Sequence, residues 1–99
     1  MSKRKNKNHI LSIIAKDNPR LITRITNIIA KHCINIEMMN TTRFPSTCLI
    51  FINITLKTND EKIETLRKQF EKIVETIEVQ VFEPEKCLKK EAKNVKNIL

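Results

Sequence analysis

Two hydrophobic periods alternate along this chain, and their order predicts the fold. Residues 9–15 (His-Ile-Leu-Ser-Ile-Ile-Ala) form a short apolar run rich in β-branched side chains, which predicts a first strand. Lys16-Asp17-Asn18-Pro19 follows as a turn and helix start. Asn18 can cap exposed N–H groups, and Pro19 suits the first helical position, where its missing N–H would have had no partner. Leu21, Ile22, Ile25, Ile28 and Ile29 then recur at helical spacing, with Arg20, Arg24, Asn27 and Lys31 on the opposite side. Residues 34–40 alternate apolar and polar, a second strand with one wet face. Thr41 to Ser46, with Pro45 inside, predicts a hairpin loop. A third strand runs over residues 47–57, with Cys48, Ile50, Ile52, Ile54 and Leu56 facing one way and Leu49, Phe51, Asn53 and Thr55 the other. Thr58-Asn59-Asp60 opens a second helix whose stripe is Ile63, Leu66, Phe70, Ile73, Val74 and Ile77. Residues 77–82 form a fourth strand, with Val79 and Val81 inward and Pro84 ending it.

The order β-α-β-β-α-β predicts an α+β, ferredoxin-like fold. Its four antiparallel strands carry both helices on one face, with the first and third strands central and the second and fourth at the edges. The expected division is a basic tail over 1–8, one domain over 9–83 and a polar basic tail over 84–99. The second strand, Ile34, Asn35, Ile36, Glu37, Met38 and Met39, has no Pro, no Lys and no obvious bulge to protect it from pairing. Pairing with its own copy predicts a two-fold dimer. Leu49 and Phe51, on the helix-free face beside apolar residues of the first strand, predict a surface covered by a partner protein.

Composition changes the picture in a few places. With four Phe and no Trp or Tyr, the core must be built from Ile, Leu and Val. The net charge of +8 raises the question of nucleic acid, so its position matters. Residues 1–8 hold four basic and no acidic groups, and residues 84–99 hold five Lys and two Glu. Residues 9–83 therefore hold ten basic and nine acidic groups, and a basic groove on the folded body is not expected. No apolar run reaches the roughly 18 residues that span a membrane, and the basic start lacks a cleavage site of small residues. The chain reads as cytoplasmic. Cys33, Cys48 and Cys87 contain no C-x-x-C pair, and neither His9 nor His32 sits in a zinc-ligand pattern. The expectation is three reduced thiols, Cys48 among them as a small core residue, and no metal. No nucleophile–base pair, carboxylate cluster or Gly-rich phosphate loop is present, so no catalytic residue is assigned.

The stretch Ile10-Leu11-Ser12-Ile13-Ile14-Ala15-Lys16-Asp17-Asn18-Pro19, the helix after it and Ile34-Asn35-Ile36-Glu37 resemble the ACT domain of acetolactate synthase small subunits. The second helix, Leu66…Phe70-Glu71-Lys72-Ile73-Val74 leading into Ile77-Glu78-Val79, is similar to that family's Leu-x-Lys-Leu-Val-Asp-Val segment. The likeness covers residues 9–83. It implies a subunit that makes no bonds itself and holds no cofactor. Its partner would be a large catalytic subunit carrying thiamine diphosphate, Mg²⁺ and FAD, which condenses pyruvate with pyruvate or 2-oxobutyrate toward valine, isoleucine and leucine.

In members that bind valine, the first strand–helix loop of one chain and the second strand of another hold the ligand. Carried onto this sequence, those positions are Asp17, Asn18 and Arg20 with Asn35 and Ile36. Arg20 stands where the family places a Gly, so its side chain is expected to crowd the ligand. The departure resembles the short small subunits of the valine-insensitive isozyme. Two other classes share the topology. One is a free-standing ACT sensor of an amino acid. The other is an RNA-binding module of the RRM kind, which needs stacking aromatics on the central strands, where the sequence offers only Phe51.

Overall fold

The computed structural model describes residues 6–84. The elements are β1 (Lys7–Lys16), α1 (Leu21–Lys31), β2 (Ile36–Phe44), β3 (Leu49–Thr58), α2 (Asp60–Glu71) and β4 (Thr76–Phe82). They form a four-stranded antiparallel sheet in the order β2-β3-β1-β4, so β1 and β3 are central and β2 and β4 are edges, as the sequence predicts. The two expected tails fall largely on residues 1–5 and 85–99, outside the described residues, as does Cys87.

Alternation along the central strands sorts side chains between the two faces. Leu11, Ile13 and Ala15 of β1 and Ile50, Ile52, Ile54 and Leu56 of β3 point under the helices, each fully buried. They meet Leu21, Ile25 and Ile29 of α1 and Ile63, Leu66 and Phe70 of α2 in one core, with Ile34, Ile73 and Val79 at its margin. Helix α2 starts where expected: the Asn59 side chain accepts from the Lys62 N–H at 2.8 Å, and Asp60 and Glu61 lie in the first turn. On its outer surface Arg67 pairs with Glu64 and Glu71, and its guanidinium beside Glu64 holds that carboxyl below its usual range.

Several expectations change. Helix α1 begins at Leu21, two residues after Pro19, because Asn18 closes a turn first; its Oδ1 accepts from Arg20 N–H at 2.9 Å. Strand β2 begins at Ile36, so Ile34 and Asn35 precede it, and it runs on to Phe44 where a loop was expected. It also carries a bulge between Ile36 and Met38, and both of its faces are largely exposed. Cys48 is not in the core. It sits exposed in the 45–48 turn at φ 56°, where the alternation of β3 has not yet begun. Val74 and Ile77 leave the α2 stripe, being 91% and 56% exposed. The helix ends at Glu71, which places Val74 in a turn, and Ile77 is the extra residue of a bulge against Ile14 and Ala15.

The absence of Gly is felt at two backbone positions. Cys33 follows the His32 C-cap of α1 at φ 56°, with Cys33 N–H bonded to Ala30 O at 3.0 Å and Ile34 N–H to Ile29 O at 3.5 Å. That is the Schellman pattern, whose left-handed position favours Gly. Cys48 occupies the equivalent conformation in the hairpin. Cys33→Gly is expected to stabilise the domain by about 1 kcal/mol, raising Tm by about 4–8 °C in a thermal melt. An unchanged or lower Tm would mean that the strain is already relaxed.

Candidate functional site

Two places on the fold gather the residues singled out in the sequence. The first lies where the β1–α1 loop meets the β2–β3 hairpin. Asp17 N–H donates to Cys48 O at 2.9 Å, and Arg43 Nε donates to Asp17 Oδ2 at 2.9 Å. These contacts exist because β1 and β3 are paired to their ends, Lys16 opposite Leu49, which brings the loop alongside the hairpin. On the other side, Glu75 holds the same loop. Its backbone O accepts from Lys16 N–H at 2.9 Å, and its carboxylate accepts from Asn18 Nδ2 at 3.1 Å and pairs with Arg24 at 3.5 Å. An open concavity of about 430 Å³ remains, lined by Asp17, Pro19, Arg43, Pro45 and Cys48.

Asp17, Asn18 and Arg20 are thus brought together in one short loop. Asn35 and Ile36 are not with them: Ile36 pairs with Leu56, at the opposite end of the sheet from the Leu49 end of β3. Arg20 is exposed and does not line the concavity. Its backbone N–H and that of Leu21 are already accepted by Asn18, through Oδ1 and the backbone O. The helix start therefore presents fewer unbonded N–H groups than an anion site would use. Sequence reading missed Arg43, Pro45, Cys48 and Glu75. Arg43 and Glu75 are charges whose only relation to Asp17 and Asn18 is spatial, and no local spacing announces them.

The second place is the helix-free face. A polar row crosses it through Gln80, Ser12, Asn53 and Asn40. Ser12 Oγ donates to Asn53 Oδ1 at 2.8 Å, Asn53 Nδ2 donates to Asn40 Oδ1 at 3.3 Å, and Gln80 donates to Glu78. On one side of the row lie Ile14, Leu49, Phe51 and Phe44, and on the other Ile10, Phe82 and Met38. Phe44 meets Phe51 edge to face, with ring centroids 4.8 Å apart and planes at 63°. Leu49 and Phe51 are half-buried and lie beside Ile14, as expected. Phe44 and Phe82, 40% and 38% exposed, join them, so this face carries three aromatics where the sequence offered one. Phe44 is hidden in the sequence because residues 41–46, with Pro45 inside, have the composition of a loop.

The βαββαβ order, the all-antiparallel sheet and the helices on a single face define a ferredoxin-like domain with an open concavity beside the Asp17 loop at one end. The ACT domain family matches residues 9–75, and the chain belongs to that family. A probable acetolactate synthase small subunit of Methanothermobacter thermautotrophicus is 25% identical over 88 residues, covering 89% of this chain and 52% of that protein. The chain thus spans about half the length of that curated relative. The acetolactate synthase small subunit of Thermotoga maritima superposes with a TM-score of 0.68 at 26% identity, over 79% of this chain and 48% of that one. The ACT domain of GTP pyrophosphokinase from Chlorobium tepidum also has a TM-score of 0.68, at 19% identity, over 78% of this chain and 99% of that one, and supports the fold alone. No helix among the described residues is long and apolar enough to cross a membrane.

Proposed function

We propose that this chain is a non-catalytic small subunit of acetolactate synthase, which binds and activates the large subunit and does not respond to valine. The observation that carries the reading is the likeness, along most of this chain, to one probable and one named acetolactate synthase small subunit. The large subunit would supply thiamine diphosphate, Mg²⁺ and FAD, and the complex would work in the cytoplasm on the route to valine, isoleucine and leucine. The half-exposed apolar cluster of Phe44, Phe51 and Leu49 suits a covering partner.

The proposed valine insensitivity rests on the loop's own contacts and not on Arg20, which stands outside the concavity. An effector carboxylate would have to displace the Asn18 oxygens from the helix start and share the concavity with the Asp17–Arg43 pair. A homodimer through β2 fits the exposure of both faces of that strand. A two-fold axis at Asn40 would set the partner's Ile36 opposite Phe44, at the end where Asp17 and Arg43 lie. The loop and the Ile36 end of the partner strand would then meet, whereas within one chain Ile36 lies at the opposite end of the sheet.

The test is reconstitution. Adding the purified chain to the matching large subunit should raise acetolactate formation, and valine should leave the rate unchanged. No gain in turnover together with no co-purification would overturn the assignment. Arg20→Gly should preserve activation. The concavity itself favours a second reading, a sensor of another small amino acid; calorimetry with a panel of amino acids decides it, since heat saturating with any of them supports the sensor.

A further inference from the structure

The far end of the sheet from the Asp17 loop holds a group that the fold leaves unsatisfied. His9 lies on the helix-covered face of β1 and is 1% exposed, and neither ring nitrogen has a hydrogen-bond partner among the described residues. A polar ring withdrawn from water in this way bears its full desolvation penalty unless something binds it. Two carboxylates stand beside it. His9 Nε2 is 3.5 Å from Asp60 Oδ1, and one ligand atom each from His9, Asp60 and Glu83 fall within 4.8 Å of one another. The three residues come from β1, the first turn of α2 and the end of β4, so only the tertiary fold unites them.

We propose that His9, Asp60 and Glu83 form a binding site for a divalent transition-metal ion of the zinc type. In a tetrahedral zinc site, with metal–ligand distances near 2.1 Å, neighbouring ligand atoms lie about 3.4 Å apart. The His9–Asp60 separation already matches that edge. Asp60 is exposed and Glu83 partly so, and both carboxylates sit on side chains with rotatable bonds, so a rotamer change can close the remaining distance. One neutral imidazole and two carboxylates balance a divalent charge and leave a fourth position for water. A nitrogen donor and so few ligands suit zinc better than Mg²⁺ or Ca²⁺, which take six or more oxygens.

The place between the carboxylates is already chosen for a cation. Lys7 Nζ lies 3.2 Å from Glu83 Oε1 and 3.4 Å from Asp60 Oδ1. The ammonium is therefore a competitor of the metal. Its side chain is 42% exposed, so it can swing into solvent when an ion enters. This inference is independent of the acetolactate synthase reading, because it uses neither the Asp17 loop nor the open face.

The test uses Co²⁺ as a spectroscopic substitute for zinc, titrated at neutral pH into the untagged full chain under reducing conditions. The expected result is the visible bands of four-coordinate cobalt without a thiolate charge-transfer band, and their loss when Zn²⁺ is added. Asp60→Asn, at an exposed helix position, should weaken binding by about tenfold or more. Lys7→Met should tighten it several-fold. His9→Gln should abolish it, but that variant is judged only if circular dichroism shows it folded; Asp60→Asn serves otherwise. Absence of the bands, a thiolate band pointing to cysteine, or equal affinity in wild type and Asp60→Asn would overturn the site.

Discussion

Phe70→Ala is expected to lower the unfolding free energy by about 3–5 kcal/mol, the largest loss from any single truncation in this domain. Phe70 is the one aromatic of the core, fully buried in the last turn of α2. It belongs to the same cluster as Leu11, Ile13, Ile25, Ile54 and Leu66. Removing its ring takes away apolar burial and leaves a cavity bounded by branched side chains that are packed from β1, β3 and α1 as well. Small domains are stable by only about 5–15 kcal/mol, so this variant should be partly unfolded at 37 °C. Urea titration followed by circular dichroism reads the effect as a fall in midpoint at constant slope. A loss below about 1 kcal/mol would mean that the core collapses readily around the gap, contrary to the packing described.

Phe51→Ala is the matching experiment on the other face, and its effect should appear in association. Phe51 stands on a central strand among Ile14, Leu49 and Phe44, half-exposed and in edge contact with the Phe44 ring. If the large subunit covers this cluster, truncation should cost about 2 kcal/mol or more of binding, roughly a 30-fold weaker complex. Activation should then require correspondingly more of the variant, with maximal turnover unchanged at saturation. Denaturation of the variant alone separates lost binding from lost fold, because one face of Phe51 is already open to solvent. Wild-type affinity in a stable Phe51→Ala chain would move the partner surface elsewhere, with the β4 side around Phe82 and Ile10 the next to test.

These two residues show how differently the faces of one sheet are used. The helix-covered face is closed by aliphatic packing around the Phe70 ring, while the open face keeps three aromatics and an amide–hydroxyl row. The first holds the fold together. The second leaves apolar surface beside hydrogen-bonding groups, the mixture found at protein interfaces. The Asp17 loop stands apart from both. Arg43 and Glu75 grip it from opposite sides, which favours a fixed element over one that closes on a ligand.

What the sequence determined by itself is whatever depends on local period. Leu21, Ile25 and Ile29 make a helix face wherever they fold, and Ile50, Ile52, Ile54 and Leu56 make one face of a strand. Asn59 caps α2 through its own neighbours, and from such elements the βαββαβ order and the edge position of β2 were legible. The ends of elements were less so. Phe44 and Cys48 exchange strand and turn roles because hairpin register, set by the pairing of β2 with β3, decides where the chain reverses. In a chain without Gly, Cys33 and Cys48 take the left-handed positions. Val74 and Ile77 carried the right period but lay beyond the last turn that packs. The loop at Asp17 was read correctly as a turn feeding a helix, yet Arg43, Cys48 and Glu75 came to it only through strand pairing. Likewise His9, Asp60 and Glu83 meet because the starts of β1 and α2 lie beside the end of β4. Side chains brought together by sheet register leave no spacing in the sequence, because the distance between them is set by hydrogen-bonded strands rather than by the chain that joins them.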